Sequence, residues 1–181
     1  MSVSFKAPHS PWQDFDKAYQ DYLEGKEMPI AASADLEHAK TIPDFLRNSL
    51  NNIPNDFLPG YFSEMEVLKD KTIDGPVQRR IRAYYKTIAG MDSSIASILN
   101  LLKENGEYDN TIIIFLSDTG QFMSEHGFQG KWTMHEESIR IPFIIADLRK
   151  SNQIKGKISH EFALNIDVAP TVLELAGVDA P

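Results

Sequence analysis

The sequence predicts an α/β fold, on three observations. Ile81, Tyr84, Tyr85, Ile88, Met91, Ile95, Ile98, Leu99 and Leu102 recur at three- and four-residue steps, the period of a helix with one covered face. A continuous apolar run, Thr111-Ile-Ile-Ile-Phe-Leu116, follows shortly after. It reads as a strand buried on both faces, as in a parallel sheet under helices. A second run, Ile141–Ala146, and a closing helix give a helix–strand–strand–helix order that layers as α/β.

Each element has local support. The long helix spans about 76–105, with Pro76 in its first turn and Gly106 as its stop. Asp167 caps the closing helix from Val168 to Ala176, which carries Pro170 early and stops at Gly177. A shorter strand is predicted at Ile158–Leu164, and a helical turn at Met134–Ser138. Residues Ser2–Ala7 read as a strand that Pro8 and Pro11 terminate. Residues 12–76 show no sustained period and carry prolines at 29, 43, 54, 59 and 76, so they read mostly as loop. Short helices are predicted there at Ile42–Asn51 and Phe62–Lys69. A loop this long inside a domain is either a functional, substrate-facing insertion or poorly ordered chain.

Composition narrows the function classes. The 181 residues carry a formal net charge of -8, which argues against nonspecific nucleic-acid binding and requires any anion to find a local basic pocket. The absence of cysteine excludes a disulfide scaffold, a thiolate metal site and a cysteine nucleophile within this sequence. No apolar run approaches the ~20 residues of a membrane helix. Nothing in Met1–Pro11 reads as a signal peptide.

The candidate chemical residues lie at strand ends and in one polar loop. In open α/β sheets, ligands gather beyond the carboxyl ends of strands, where Asp118 stands. Its carboxylate can ligate a hard cation, or simply fix the turn. Lys131, between Gly130 and Trp132, can neutralise an anionic ester oxygen, or be a solvated surface lysine. His126 and His135 flank it. His9, between Pro8 and Pro11, sits in a stiffened loop from which an imidazole can protonate a leaving oxygen. Lys6 has the same standing as His9: an anion contact or an ordinary loop residue. The pair Glu136-Glu137 reads as a solvated face, or as an orienting partner for Lys131 or Arg140.

Five segments together resemble the sulfatase family, of alkaline-phosphatase-like fold. They are Lys6-Ala-Pro-His-Ser-Pro11, the helix carrying Tyr84-Tyr-Lys-Thr-Ile-Ala-Gly-Met-Asp92, and Asp109-Asn-Thr-Ile-Ile-Ile-Phe-Leu-Ser-Asp-Thr-Gly120. Glu125-His-Gly with Gly130-Lys-Trp-Thr-Met-His-Glu-Glu-Ser-Ile-Arg-Ile-Pro142 and Asn165-Ile-Asp-Val-Ala-Pro-Thr-Val-Leu-Glu-Leu-Ala-Gly177 complete the set, in the family's order. The match is dense over 76–181 and thin over 12–75.

The resemblance implies roles residue by residue. Asp118 becomes a metal ligand, Lys131 a sulfate-binding catalytic residue, and His9 a sulfate-binding residue or leaving-group acid. Lys6 and His126 become substrate-binding. Thr119 stands where many relatives place asparagine or histidine as a second metal ligand, and its hydroxyl is a weaker one. The implied cofactors are a divalent cation, usually Ca2+ with Mg2+ as the alternative, and a formylglycine nucleophile. The Cys/Ser-x-Pro-x-Arg motif that yields formylglycine is absent from these residues, as is the family's upstream Asp-Asp pair.

The chain is therefore expected to be the C-terminal portion of a sulfatase catalytic domain over 1–181, with 12–75 as a loop-rich insertion. It is a partial sheet flanked by helices, inactive alone, and prone to associate through open strand edges. The implied partners are a sulfated small molecule or glycan and the N-terminal part of the domain, with no nucleic acid and no membrane span. A periplasmic, secreted or lysosome-like parent is compatible with the resemblance, and the sequence selects none. Two other readings stay open: a phosphatase or phosphotransferase of the same superfamily, and a non-catalytic anion- or partner-binding protein. An aspartic protease, which also uses Asp-Thr-Gly, is disfavoured because those folds are nearly all β.

Overall fold

A computed structural model describes residues 1–47, 68–149 and 156–179. The helices are α1 (Leu36–Thr41), α2 (Asp44–Arg47), α3 (Pro76–Glu104), α4 (Glu136–Ile139) and α5 (Val168–Leu175). The strands are β1 (Ile112–Leu116), β2 (Phe122–Met123), β3 (Gln129–Gly130) and β4 (Phe143–Asp147). The chain divides into two units, one of residues 1–108 with 119–141, the other of 109–118 with the chain from Pro142 onward.

The first unit is organised by α3. Gly75 caps it, Pro76 occupies its first turn, and Gly106, at φ 71°, ends it as predicted. Val77 and Ile81, one helical turn apart, are 0% and 5% exposed and pack with Met28, Ala34 and Leu68. Burial is concentrated in the first three turns of α3; Tyr85, counted in the predicted apolar stripe, is exposed.

Three long polar side chains are buried in that stretch, those of Gln78, Arg82 and Lys86, each four residues from the next. They bind the backbone of the 20–28 loop. Gln78 accepts from Met28 N (2.7 Å) and donates to Met28 O (2.9 Å). Arg82 donates to Lys26 O (3.0 Å) and Ile73 O (2.7 Å). Lys86 donates to Gln20 O, pairs with Glu24 (3.3 Å), and lies 4.9 Å from the Phe15 ring centroid. A loop outside helix and sheet must satisfy its peptide groups elsewhere, and here long side chains at four-residue spacing do so.

α1 is a helix that sequence reasoning read as loop. Its signal is Asp35, whose carboxylate accepts from Glu37 N (2.9 Å) and His38 N (3.3 Å). Those two backbone bonds, then Lys71 at 3.6 Å, hold the Asp35 carboxyl below its ordinary 3.8. A carboxyl lowered by folding stabilises above its unfolded value and loses that contribution as pH falls through the folded one. Asp35→Ala is therefore expected to lower amide-exchange protection at Glu37 and His38 at neutral pH. The two proteins should converge once the pH falls well below 3.8. Equal protection at neutral pH would show that the cap does not hold α1.

The second unit holds β1 and β4, paired antiparallel from Ile112 opposite Asp147 to Leu116 opposite Phe143. This corrects the parallel, both-faces-buried expectation for 111–116. Among the described residues β1 borders only β4, every β1 position is half-buried, and Ile144 and Ile145 of β4 are exposed. Two further strand predictions fail. Residues 2–7 and 158–164 form no strand among the described residues, because no neighbouring strand supplies the ladder. Ile158 and Phe162 are fully open to solvent, at 83% and 101% exposure.

The remaining local predictions mostly hold. The turn expected at Met134–Ser138 is α4, and the closing helix is α5, with Gly177 at φ 74° as its stop. Asp167 does not cap α5 through its side chain; its carboxylate accepts from Leu164 N (2.7 Å) at the 3₁₀ turn Asn165–Asp167. The helix predicted at Ile42–Asn51 appears as the single turn α2, with 48–51 outside the described residues. Most of the Phe62–Lys69 prediction also lies outside them. No helix among the described residues is long and apolar enough to cross a membrane.

Candidate functional site

The polar loop of the first unit is a two-stranded hairpin. β2 and β3 pair antiparallel, Phe122 opposite Gly130 and Met123 opposite Gln129. The turn between them, Ser124-Glu-His-Gly127, needs three left-handed residues: Ser124 at φ 95°, His126 at φ 56° and Gly127 at φ 74°. Only the last is glycine, so the other two are held there by contacts. Ser124 is fully buried and accepts from Arg80 Nη2 of α3. Glu125 accepts from Met123 N at 2.5 Å, and His126 N donates to Ser33 O at 3.0 Å.

Below this turn lies an aromatic cluster. Phe122 and Phe128, each 1% exposed, meet edge to face at 5.5 Å between centroids. The His135 ring lies 5.6 Å from both, and 5.1 Å from His126. His126 Nδ1 faces His38 Nε2 at 2.9 Å, and its Nε2 faces Glu137 Oε1 at 3.3 Å. Thus His126, predicted as substrate-binding, has both ring nitrogens engaged inside the protein. Glu137 partners His126, where the sequence left it as a solvated face or an orienting group for Lys131 or Arg140. His38 is not among the residues the sequence singles out; the one signal that places it on a helix is the Asp35 cap three residues earlier.

Lys131 follows β3 directly and is half-buried, beside Trp132, whose φ is 80° and whose ring covers Gly130. His9 and Lys6 lie in an exposed turn closed by His9 N donating to Lys6 O (2.8 Å). Trp12 Nε1 donates to Pro8 O (2.9 Å), and the Trp12 ring meets Tyr84 of α3 edge-on at 6.0 Å. Burial, then the charges of Tyr85 and Glu125, pushes the Tyr84 phenol above its usual range.

The His9 ring is oriented by Nδ1, 2.8 Å from Ser10 O. A carbonyl only accepts, so Nδ1 carries the proton and neutral His9 presents a bare Nε2. His9 can then donate to an ester oxygen through Nε2 only as imidazolium.

Asp118 belongs to the second unit, whereas Thr119, His126, Lys131, His9 and Lys6 belong to the first. Asp118 is exposed at the end of β1, and Asn165 Nδ2 donates to its carbonyl at 3.1 Å. Among the described residues no group of three or more His, Asp or Glu side chains could hold a metal ion.

The sulfatase family model matches residues 1–178. An N-acetylglucosamine-6-O-sulfatase of Bacteroides thetaiotaomicron is 43% identical over 116 residues, covering 63% of this chain and 20% of that protein. An arylsulfatase of Clostridium perfringens is 30% identical over 184 residues, all of this chain and 34% of its own length. A multifunctional alkaline phosphatase superfamily protein, PehA, of Trinickia caryophylli is 29% identical over 183 residues, again all of this chain and 34% of its own. The chain thus spans about a fifth to a third of these relatives. Among solved structures, BT4656 in complex with its substrate D-glucosamine-2-N,6-O-disulfate superposes with a TM-score of 0.68 at 27% identity. That match covers 97% of this chain and 44% of BT4656. With small sheets and helices that superpose on an alkaline-phosphatase-like neighbour and a family match along nearly its whole length, the chain belongs to the sulfatase family.

Proposed function

We propose that this chain is the C-terminal portion of a sulfatase catalytic domain, with 12–75 as its loop-rich insertion, and that the complete domain hydrolyses sulfate esters. The observation that carries this reading is the family match over 1–178, within which lie Asp118 at the end of β1 and Lys131 after β3. Sulfatases generally use a divalent metal and a formylglycine. In this reading Asp118 contributes one carboxylate to the metal, Ca2+ or Mg2+, with Thr119 beside it as a weak ligand. The other ligands and the nucleophile come from sequence outside these 181 residues.

The residues present have defined tasks. The Lys131 ammonium neutralises charge on the sulfate oxygens as it builds up. His9, with Nδ1 tied to Ser10 O, donates from Nε2 to the leaving oxygen. Lys6 and His126 contact substrate. For His126 that contact is through the ring edge or backbone, since His38 and Glu137 occupy both nitrogens. A sulfated glucosamine is the first substrate to try, given the activity of the Bacteroides relative and the ligand of BT4656. The exposed Ile144, Ile145 and Phe162 of the second unit support a further partner, the N-terminal part of the domain.

The test is turnover of 6-sulfated N-acetylglucosamine by the complete domain. Lys131→Ala is expected to lower kcat about 100- to 1000-fold. The 181-residue chain alone is expected to release no sulfate. Unchanged turnover in the Lys131 variant would remove that residue from the site, and turnover by the chain alone would place the nucleophile within it. The likeness to PehA, over all of this chain and 34% of that protein, favours one second reading, a phosphate-ester hydrolase. Assaying the matching phosphate ester in parallel separates the two.

A further inference from the structure

We propose that His38 and His126 form a one-proton clasp between α1 and the hairpin turn, which a second proton opens. The clasp lies within the first unit alone and stands whether or not the complete domain is a sulfatase.

The clasp follows from which nitrogens can carry hydrogen. His126 Nε2 faces the Glu137 carboxylate at 3.3 Å, which favours a proton on Nε2. Neutral His126 then has a bare Nδ1, and the ring nitrogen 2.9 Å away, His38 Nε2, is the donor. Adding one proton to His38 Nδ1 leaves that bond intact. Adding a proton to each ring puts N–H groups on both facing nitrogens, with no acceptor between them and two like charges in contact. The pair therefore holds one added proton and parts on the second.

The surroundings make parting consequential. His126 is fixed in a left-handed backbone and meets Phe122 edge-on with centroids 6.4 Å apart, so its ring has little room to turn away. His38 sits on a helix of six residues capped by Asp35. α1 is thus the side that moves, and His126 N, which donates to Ser33 O, loses its partner with it. The charged groups around the pair are distinct in role. Glu137 favours a proton on His126, whereas His135, with its ring 5.1 Å away and Nδ1 on Thr133 Oγ1, opposes a further charge when protonated. Glu125 is occupied by Met123 N, and Arg80 of α3 reaches Ser124. On α1 itself Glu37 pairs with Lys40 at 2.6 Å, and Asp35 faces Lys71.

The clasp ties a segment that the family resemblance matches only thinly to the arm of the hairpin that leads into Lys131. Acid release would free that segment without unfolding α3.

The test is histidine-ring nitrogen NMR and amide exchange on the whole 181-residue chain across the acid range. Expected are two ring steps sensed by both His38 and His126, with protection of the His126 amide lost at the second while Ile81 stays protected. His38→Gln keeps a donor for His126 Nδ1 but cannot take a charge, so His126 protection should persist through the acid range. His135→Gln should leave the opening step in place. The proposal is overturned if wild-type His126 protection is insensitive to acid. It is equally overturned if His38→Gln opens at the same pH as wild type, or if His135→Gln abolishes the step. Stoichiometric zinc that shifts both rings and keeps them together in acid would also overturn it, making the pair a metal site.

Discussion

Gln78→Leu should destabilise the chain by about 2–6 kcal/mol, at ~1–3 kcal/mol for each of two buried peptide groups left without a partner. Gln78 is 0% exposed, and its amide closes a ring of two hydrogen bonds on Met28 N and Met28 O. Leucine is close in volume and apolar, so the loss is almost wholly polar. A loop cannot re-pair these groups as a strand would, because Met28 lies between Pro29 and a turn and has no ladder to join. The check is urea unfolding followed by far-UV circular dichroism. A lowered midpoint at constant slope reads directly as lost stability. A change below about 0.5 kcal/mol, the range of an ordinary surface substitution, would mean that water or a shifted backbone satisfies Met28 and that Gln78 is not a structural clamp.

That clamp also marks where sequence reasoning stopped. The period of Ile81 to Leu102 placed α3 almost to the residue, because a long amphipathic helix with proline at one end and glycine at the other is locally overdetermined. The period did not show that its most buried positions include Gln78, Arg82 and Lys86. Long polar side chains are buried only when loop carbonyls reach them, and the course of the 20–28 loop is a tertiary fact. The same limit explains the strands. The run at 111–116 announced a strand, but whether its neighbour runs parallel or antiparallel depends on pairing over about 30 residues of separation, which periodicity does not encode.

At the candidate site the legible part was chemical and the hidden part was conformational. Asp118, Lys131, His9, Lys6 and His126 could be selected as residue types beside glycine, proline or a strand end. The partners of His126 could not. His38 lies 88 positions away along the chain, and it meets His126 only because Ser124 and His126 take left-handed backbone angles that no residue type there announces. Glu137 was visible as an acid, yet its direction depends on α4 starting one residue before it.

Gly120→Ala is the other substitution expected to have a large effect, and it links the Asp-Thr-Gly sequence to α4. Gly120 N donates to Ser138 O at 2.8 Å, and the chain passes so close to α4 that an added Cβ would lie within van der Waals contact of three backbone atoms. Its distance to Arg140 O would be 3.0 Å, and to Glu137 O less. Backbone carbonyls cannot rotate aside as a side chain can, so either the hydrogen bond to Ser138 breaks or α4 shifts. Overpacking of this kind costs about 1–3 kcal/mol, and the lost hydrogen bond adds about 1. Gly120 is not among the residues with positive φ, so what demands glycine here is space. Two measurements follow. Urea unfolding should show a loss of roughly 2–4 kcal/mol on the same scales. The His126 ring resonances should shift, because moving the Glu137 backbone moves the carboxylate 3.3 Å from Nε2. Lost stability with an unmoved His126 would confine the damage to residues around Gly120. Full stability with alanine in place would mean that the close approach to α4 is not maintained in solution, and that the third residue of Asp-Thr-Gly is under no steric constraint from α4.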